Sequence, residues 1–219
     1  MMRKTRFVIL LLIFFITALN AKSQIFNGGL MAGVAGSQVA GDIMYTGQDT
    51  MGLYGFHKAG IFAGGFVNLQ TGKHSAFQME LEYFQKGSRE NPDSSNGYNQ
   101  YLFRVNYVEL PVYYQYSFGK RFKLEIGPSL GFLINYYEEA NYYEIKGGIR
   151  PARMTFQINA GLYVNITRHL MVNIRTNNSL LNIRSDNATG DIIRIIPGNF
   201  GQFNDCLVFS LFYQFLPAW

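Results

Sequence analysis

Two short motifs match those that carry the chemistry of penicillin-recognising serine enzymes. Ser117-Phe118-Gly119-Lys120 matches S-x-x-K, and Ser185-Asp186-Asn187 matches S-D-N. That chemistry needs the serine at the start of a helix beside its lysine, together with a K-T-G motif, which the sequence lacks. The first match ends a predicted strand, and the second lies in a predicted loop across a barrier of about 25 Å or more. We therefore interpret both matches as coincidences and predict no catalytic residue.

The glycine and histidine patterns do not predict a cofactor or metal site either. Gly72-Lys73 and Gly119-Lys120 lack the upstream glycine and the following Ser or Thr of a phosphate loop. The glycines between 28 and 41 precede no predicted helix, which a dinucleotide site requires. Metal-ligand spacing is absent from the three histidines, which are His57, His74 and His169. We expect no enzyme activity, no cofactor and no bound metal.

Seven charged residues are more informative, because the strand pattern described below places them all on polar strand faces. Charged groups that are held away from bulk water need partners. We interpret the seven as a network of structural salt bridges inside a lumen; the functional alternative is a narrow polar path or a proton-coupled site. They are Glu80, Glu82, Lys86, Glu109, Lys123, Glu125 and Arg175.

The composition is poor in charge and rich in apolar residues. Of the 219 residues, 48% are hydrophobic and 15% are charged, against about 25% charged in an average soluble domain. The formal net charge is +5, but residues 1–23 hold four of the 19 basic residues and no acidic one. Without that segment, 15 basic and 14 acidic residues leave a net charge of +1. The sequence therefore predicts no nucleic-acid partner.

The N-terminal segment has the order of a secretory signal peptide. A basic stretch at 2–6 precedes an apolar run of 13 residues at 7–19, and Ala21-Lys22-Ser23 follows. The alternative is a membrane helix, but a span needs about 20 apolar residues. We predict a signal peptide at 1–23, cleaved after Ser23, and one mature domain at 24–219.

The mature chain alternates between apolar and polar residues, the two-residue period of a strand. In the segment 154–166 the even positions hold apolar side chains, and most of the odd positions hold polar or small ones. A soluble β-sandwich would also alternate, but these segments run to about 10–14 residues, whereas strands commonly have about 5–6. The predicted strands are 26–38, 56–70, 75–87, 102–118, 122–135, 153–166, 170–183 and 204–215.

The connections between these strands alternate between short and long. The short turns are centred near residues 72, 120 and 168, which are 48 residues apart. The fold class is therefore predicted to be all-β, an eight-stranded antiparallel up-and-down transmembrane β-barrel of the Gram-negative cell outer membrane. Short turns and both termini would face the periplasm. A barrel of eight strands has an interior just wide enough for side chains to fill.

The chain resembles the PorT-like outer-membrane β-barrel family of Bacteroidota. The resemblance covers essentially the whole mature chain and implies a barrel; some members are linked to protein secretion, and no catalytic or binding residue is carried over. It is carried by Gly29-Leu30-Met31-Ala32-Gly33-Val34, Tyr107-Val108-Glu109-Leu110-Pro111, Leu124-Glu125-Ile126-Gly127-Pro128-Ser129-Leu130-Gly131 and Val208-Phe209-Ser210-Leu211-Phe212-Tyr213-Gln214-Phe215.

The last strand also looks like the signal that barrel-assembly machinery reads, with apolar or aromatic residues at alternate positions. These are Phe209, Leu211, Tyr213 and Phe215. The chain departs from the usual pattern by continuing for four residues beyond Phe215, and Pro217 cannot donate a hydrogen bond to a strand ladder.

Two functions from different classes remain open on the sequence. The first is a non-enzymatic scaffold or partner-binding protein, an accessory of protein secretion or envelope assembly. The second is a small porin-like transport protein with a narrow polar lumen. The expected partners are outer-membrane lipid, the barrel-assembly machinery and another envelope protein. A docking surface for that protein is hypothesised in two predicted loops, at Tyr142, Tyr143, Ile192, Ile193, Ile195 and Ile196. The alternative is that both segments extend the strands beyond the bilayer, with the tyrosines at the membrane interface and the isoleucines packed across the barrel mouth.

Overall fold

A computed structural model describes residues 26–46, 49–53, 55–184, 192–193 and 200–217. The predicted signal peptide lies outside the described residues. Eight long strands form the main sheet: β1 (Phe26–Ala40), β2 (Lys58–Gln70), β3 (Ser75–Glu90), β4 (Tyr101–Phe118), β5 (Phe122–Ala140), β6 (Met154–Asn165), β7 (Leu170–Ser179) and β8 (Phe203–Gln214).

The sheet closes on itself. Each strand pairs antiparallel with the next one along the chain, and β1 pairs with both β2 and β8, so that Val34 lies opposite Ile61 on one side and Phe209 on the other. The predicted eight-stranded antiparallel up-and-down barrel is confirmed. The short turns at 71–74, 119–121 and 166–169 share one end, which we name the short-turn end; the opposite end is the long-loop end.

Four longer connections leave the long-loop end: loop 1 (41–57), loop 2 (91–100), loop 3 (141–153) and loop 4 (180–202). Among their described residues, Ile43–Thr46 pairs with Asp49–Gly52, and Ile192–Ile193 pairs with Phe200–Gly201. Tyr143–Glu144 pairs with the last residues of β5. The part of the chain that the structure describes contains no helix long and apolar enough to cross a membrane.

Strand β5 is longer than its sequence pattern suggests. The strand was predicted to end at 135 but runs to Ala140. A bulge interrupts its pairing with β4 at this point: Tyr107 lies opposite Leu133, whereas Asn106 lies opposite Asn135. The extra residue, Ile134, reverses the alternation of faces, so the two-residue period no longer identifies the strand beyond it. The barrel wall is consequently uneven, with 18 and 19 residues in β4 and β5 but 12 and 10 in β6 and β7.

The two faces of the wall differ as the alternation requires. Outward side chains are apolar over most of each strand, and on β8 they are Leu207, Phe209, Leu211 and Tyr213. The inward side chains fill the interior. One buried apolar cluster includes Phe62, Phe84 and Phe212, and a second, at the long-loop end, includes Val39, Phe103 and Ile183. The remaining inward positions hold the polar and charged side chains.

Candidate functional site: charge clusters in the barrel interior

The guanidinium of Arg175 on β7 lies at the centre of the first cluster. Its Nη1 and Nη2 donate to the two carboxylate oxygens of Glu80 at 2.8 and 3.1 Å. Its Nε donates to Glu125 Oε1 at 3.0 Å, and Glu82 Oε2 lies 3.6 Å from Nη1. All four side chains are buried. Because they come from β3, β5 and β7, the paired donors of the guanidinium join these three strands across the interior.

Neutral side chains complete this first cluster. Arg175 Nη2 also contacts the hydroxyl of Tyr163 at 3.1 Å, and the guanidinium carbon lies 4.5 Å from the ring centroid of Tyr113. Asn173 donates to Glu125 at 2.9 Å, and Gln78 donates to the Tyr163 hydroxyl at 3.0 Å. The arginine thus has a partner on every side, an arrangement that holds a side chain in one position.

A second ion pair lies beside the first cluster. The ammonium of Lys86 donates to Glu109 Oε1 and to Asn177 Oδ1, and Asn177 in turn donates to Glu109 Oε2 at 3.1 Å. Gln157 donates to Glu109 at 3.2 Å and accepts from Ser129 at 2.9 Å. Lys86 and Glu109 are completely buried, so each compensates the charge of the other.

Two glycines make room for these pairs. Gly161 lies opposite both Glu125 and Arg175, and a Cβ there would come within 2.6 Å of Glu125 Oε1. Gly131 lies opposite Glu109, where a Cβ would come within 2.7 Å of Thr155 Oγ1. Neither glycine was predicted from the sequence to have this role. One feature of the sequence could have indicated this space: each glycine lies on a polar strand face that otherwise carries charged or amide side chains.

Of the seven charged residues named from the sequence, the structure brings six into these two groups and leaves one apart. Lys123 is half-buried at the short-turn end, and its Nζ contacts the thioether sulfur of Met171 at 3.7 Å. Among the described residues, no carboxylate lies within 4 Å of this ammonium.

A third cluster closes the long-loop end and was not named from the sequence. Arg184 of loop 4 donates to Glu138 at 2.9 Å and to Gln202 at 2.8 Å, and its guanidinium carbon lies 4.3 Å from the ring centroid of Phe103. Its Nη2 lies 3.9 Å from Asp42 of loop 1. The cluster therefore fastens loops 1 and 4 over the barrel. Arg184 and Asp42 lay in predicted loops, where the two-residue period of a strand does not indicate whether a side chain points into the barrel.

The hypothesised docking surface is only partly described. Tyr142 and Tyr143 are exposed, at 74% and 80%, while Ile192 and Ile193 are described as backbone alone, and Ile195 and Ile196 lie outside the described residues. Loops 2 and 3 are joined beneath the tyrosines: Asn141 Oδ1 accepts from Gln100 N at 2.9 Å, and Gln100 Oε1 accepts from Tyr142 N at 3.1 Å.

The backbone of this joined region is left-handed at three residues other than glycine. These are Tyr98, Asn141 and Tyr142, with φ between 49° and 68°. Such conformations are uncommon for residues with a Cβ, and for bulky ones they require support from their surroundings. The hydrogen bonds between Asn141, Gln100 and the Tyr142 amide support two of these residues, and Tyr98 N donates to Asp93 O at 2.7 Å.

The residues of the predicted assembly signal alternate along the outward face of β8. The side chains of Phe209, Leu211 and Tyr213 point out of the barrel from β8, and Phe215 follows directly after the strand with its side chain exposed.

These arrangements indicate rigidity more than chemistry. In the first cluster three carboxylates surround one guanidinium, in the second one ammonium pairs with one carboxylate, and the third cluster ties loops together. No group of three or more His, Cys, Asp or Glu side chains among the described residues is placed to hold a metal ion.

Comparison with known proteins gives one family match. The family model described as outer membrane protein beta-barrel domain matches residues 22–185. No curated protein matches the sequence.

Solved structures with a similar fold share little sequence with this chain. One is Ail, the attachment invasion locus protein of Yersinia pestis, in complex with the heparin analogue sucrose octasulfate. Ail is 9% identical to this chain, the match covers 87% of this chain and 99% of Ail, and the TM-score is 0.46. Neisserial surface protein A is 7% identical over 88% of this chain and 99% of that one, with a TM-score of 0.49. These similarities concern the fold alone.

Proposed function

The chain belongs to the outer membrane protein beta-barrel domain family and is located in the cell outer membrane, and on this premise we propose that it is a non-enzymatic scaffold that binds another envelope protein. In such barrels the short turns face the periplasm and the long loops face the exterior. The partner would meet loops 2 and 3 at the cell surface. The resemblance to the PorT-like family suggests that the complex serves protein secretion or envelope assembly.

The observation that carries this proposal is the tyrosine surface, which we define as Tyr98, Tyr142 and Tyr143. Their exposures are 73%, 74% and 80%, although tyrosine rings gain free energy when they are removed from water. Two of them occupy left-handed backbone that costs about 1–3 kcal/mol per residue. Tyrosine is enriched at protein interfaces because it adds a large contact area while losing little side-chain entropy.

The filled interior argues against the alternative, transport through a narrow polar lumen. A solute would have to displace Arg175 from three carboxylates and then pass the Arg184 cluster and the buried side chains Phe103 and Ile183. Breaking a buried ion pair by removing one partner costs about 3–5 kcal/mol. The binding of a partner from outside requires none of these rearrangements.

The proposal is tested by affinity purification from native outer membranes. We expect the triple substitution Tyr98→Ser, Tyr142→Ser and Tyr143→Ser to lose a protein that co-purifies with the wild type. The matched control is Phe56→Ser, which removes an exposed aromatic side chain from loop 1. Both variants should still migrate faster on a gel when unboiled, as a folded barrel does. Equal recovery of the partner with the triple variant would contradict the proposal.

A second variant tests the loop 4 part of the hypothesised surface. Ile192, Ile193, Ile195 and Ile196 are replaced together by serine. Loss of the partner from a barrel that still shows the gel shift would extend the docking surface to loop 4. Loss of the gel shift would assign these isoleucines to folding, and retention of the partner would confine the surface to loops 2 and 3.

A further inference from the structure

A polar pocket of about 340 Å³ opens at the short-turn end of the barrel. Among the residues that line it are Lys123, Asn68, Gln115, Ser75, Ser117 and His74. Asn68 donates to Gln115 at 2.8 Å and to Gln78 at 3.1 Å, and Gln115 leads on to Glu125 of the Arg175 cluster. These amides form a floor that separates the pocket from the packed interior, so the pocket opens toward the periplasm.

Lys123 brings to this pocket a charge that has no carboxylate within ion-pair distance among the described residues. Its ammonium has three N–H donors, and the structure gives it one weak acceptor, the sulfur of Met171 at 3.7 Å. Glu125 lies two residues along the same strand face, but its carboxylate is held by Arg175 at 3.0 Å and by Asn173 at 2.9 Å. Arg175 and Lys86, the cations of the two clusters described above, each bind a carboxylate directly.

The environment indicates which ligand would suit this ammonium. A cation held partly out of water is stabilised by one negative charge with oxygen acceptors. A monovalent carboxylate balances one ammonium, whereas a phosphate dianion would leave a negative charge without a partner. The volume lies at the lower end of the range of about 300–1,000 Å³ seen for small-molecule sites.

We propose that this pocket binds a small organic carboxylate from the periplasm, with the carboxylate accepting hydrogen bonds from Lys123 Nζ. Ser117 lies opposite Lys123 in register and lines the same pocket, so its hydroxyl can donate to the second carboxylate oxygen or to a polar group of the ligand. The site lies at the opposite end of the barrel from the tyrosine surface and does not depend on the partner proposed above.

The test uses the full mature protein, folded in lipid nanodiscs and labelled with ¹³C- and ¹⁵N-lysine. N-acetylglycine is the probe, and N-acetylglycinamide is the uncharged control of nearly the same shape. We expect the Lys123 side-chain signals to shift in a saturable manner with the acid and to stay unchanged with the amide. Equal shifts with both compounds would overturn the proposal, as would tighter binding of inorganic phosphate.

Two matched substitutions locate the binding. Lys123→Met removes the charge while keeping the side-chain length, and Lys120→Met removes an exposed lysine from the neighbouring turn. Because a hydrogen bond to a charged group is lost, affinity should fall about tenfold or more in Lys123→Met and stay within about twofold in Lys120→Met. An equal loss in both variants would refute a site at Lys123. If Lys123→Met does not fold, the wild-type Lys123 signals with acid and amide decide the question.

Discussion

Arg175 and Glu125 meet across a strand that has no side chain at the point of contact. The Nε to Oε1 distance is 3.0 Å, and Gly161 of β6 lies between the two residues in register. A Cβ on this glycine would come within 2.6 Å of the same Glu125 oxygen. The ion pair therefore depends on the absence of one methyl group from a third strand.

Gly161→Ala should destabilise the barrel, because the added methyl group displaces Glu125 from Arg175 within a packed interior. Overpacking of this kind costs about 1–3 kcal/mol. The free energy of unfolding in urea, followed by the gel shift of unboiled samples, measures the loss. The matched control is Gly65→Ala, where the nearest atoms to a Cβ lie at an ordinary 3.5 Å. Equal losses in the two variants would contradict this account of Gly161.

Leu130→Arg should destabilise the barrel by about 2–4 kcal/mol, since an arginine near the bilayer midplane loses its hydration. Leu130 points outward near the middle of the apolar stretch of β5, with 41% of its surface exposed. Phe26→Arg makes a similar outward change at the short-turn end, where the cost should be about 0–1 kcal/mol. The same urea titration in lipid vesicles measures both. A larger cost at position 26 would mean that the membrane is placed at the wrong height on the barrel.

Single-channel recordings in planar bilayers should show little current, because the Arg175 and Lys86 clusters and the buried aromatic side chains fill the lumen. Removing the loop fastening with Arg184→Met should leave the conductance low, since these interior groups remain in place. A large, steady conductance of the wild-type protein would reverse the preference between the scaffold and the transport function.

Asp93 in loop 2 should titrate below the usual range of an aspartate. The Ser95 hydroxyl and the backbone amides of Asn96 and Ser95 donate to its carboxylate and lower its pKa. The stability that these bonds contribute is present above the ordinary pKa of an aspartate and is lost as the pH falls through the lowered value. Ser95→Ala should raise the pKa toward the ordinary value, and the neighbouring Ser94→Ala should not. The carboxyl ¹³C shift against pH measures both variants.

The alternation of apolar and polar residues was sufficient to predict the number of strands, their order and the inward faces. In a regular strand, a two-residue period shows which side chains point into the barrel and which point out. It did not predict the end of β5, where the bulge at Ile134 reverses the period. It also could not choose the partners of the buried charges. Arg175 and Glu80 are 95 residues apart in the chain, and any inward carboxylate at a similar depth would have matched the pattern equally well.

The unequal strand lengths give the barrel a slanted outer rim. Strand β5 is seven residues longer than β6, and since the turns at the other end are all short, the excess lies on the cell-surface side. At about 3.3 Å per residue and a tilt of about 40°, the outer end of β5 rises roughly 18 Å above that of β6. On its other side the rim stays high, since Glu90 of β3, Tyr101 of β4 and Ala140 of β5 lie in register. Among the described strands, a large molecule approaching from the exterior would therefore meet the ends of β3, β4 and β5 before it met the end of β6.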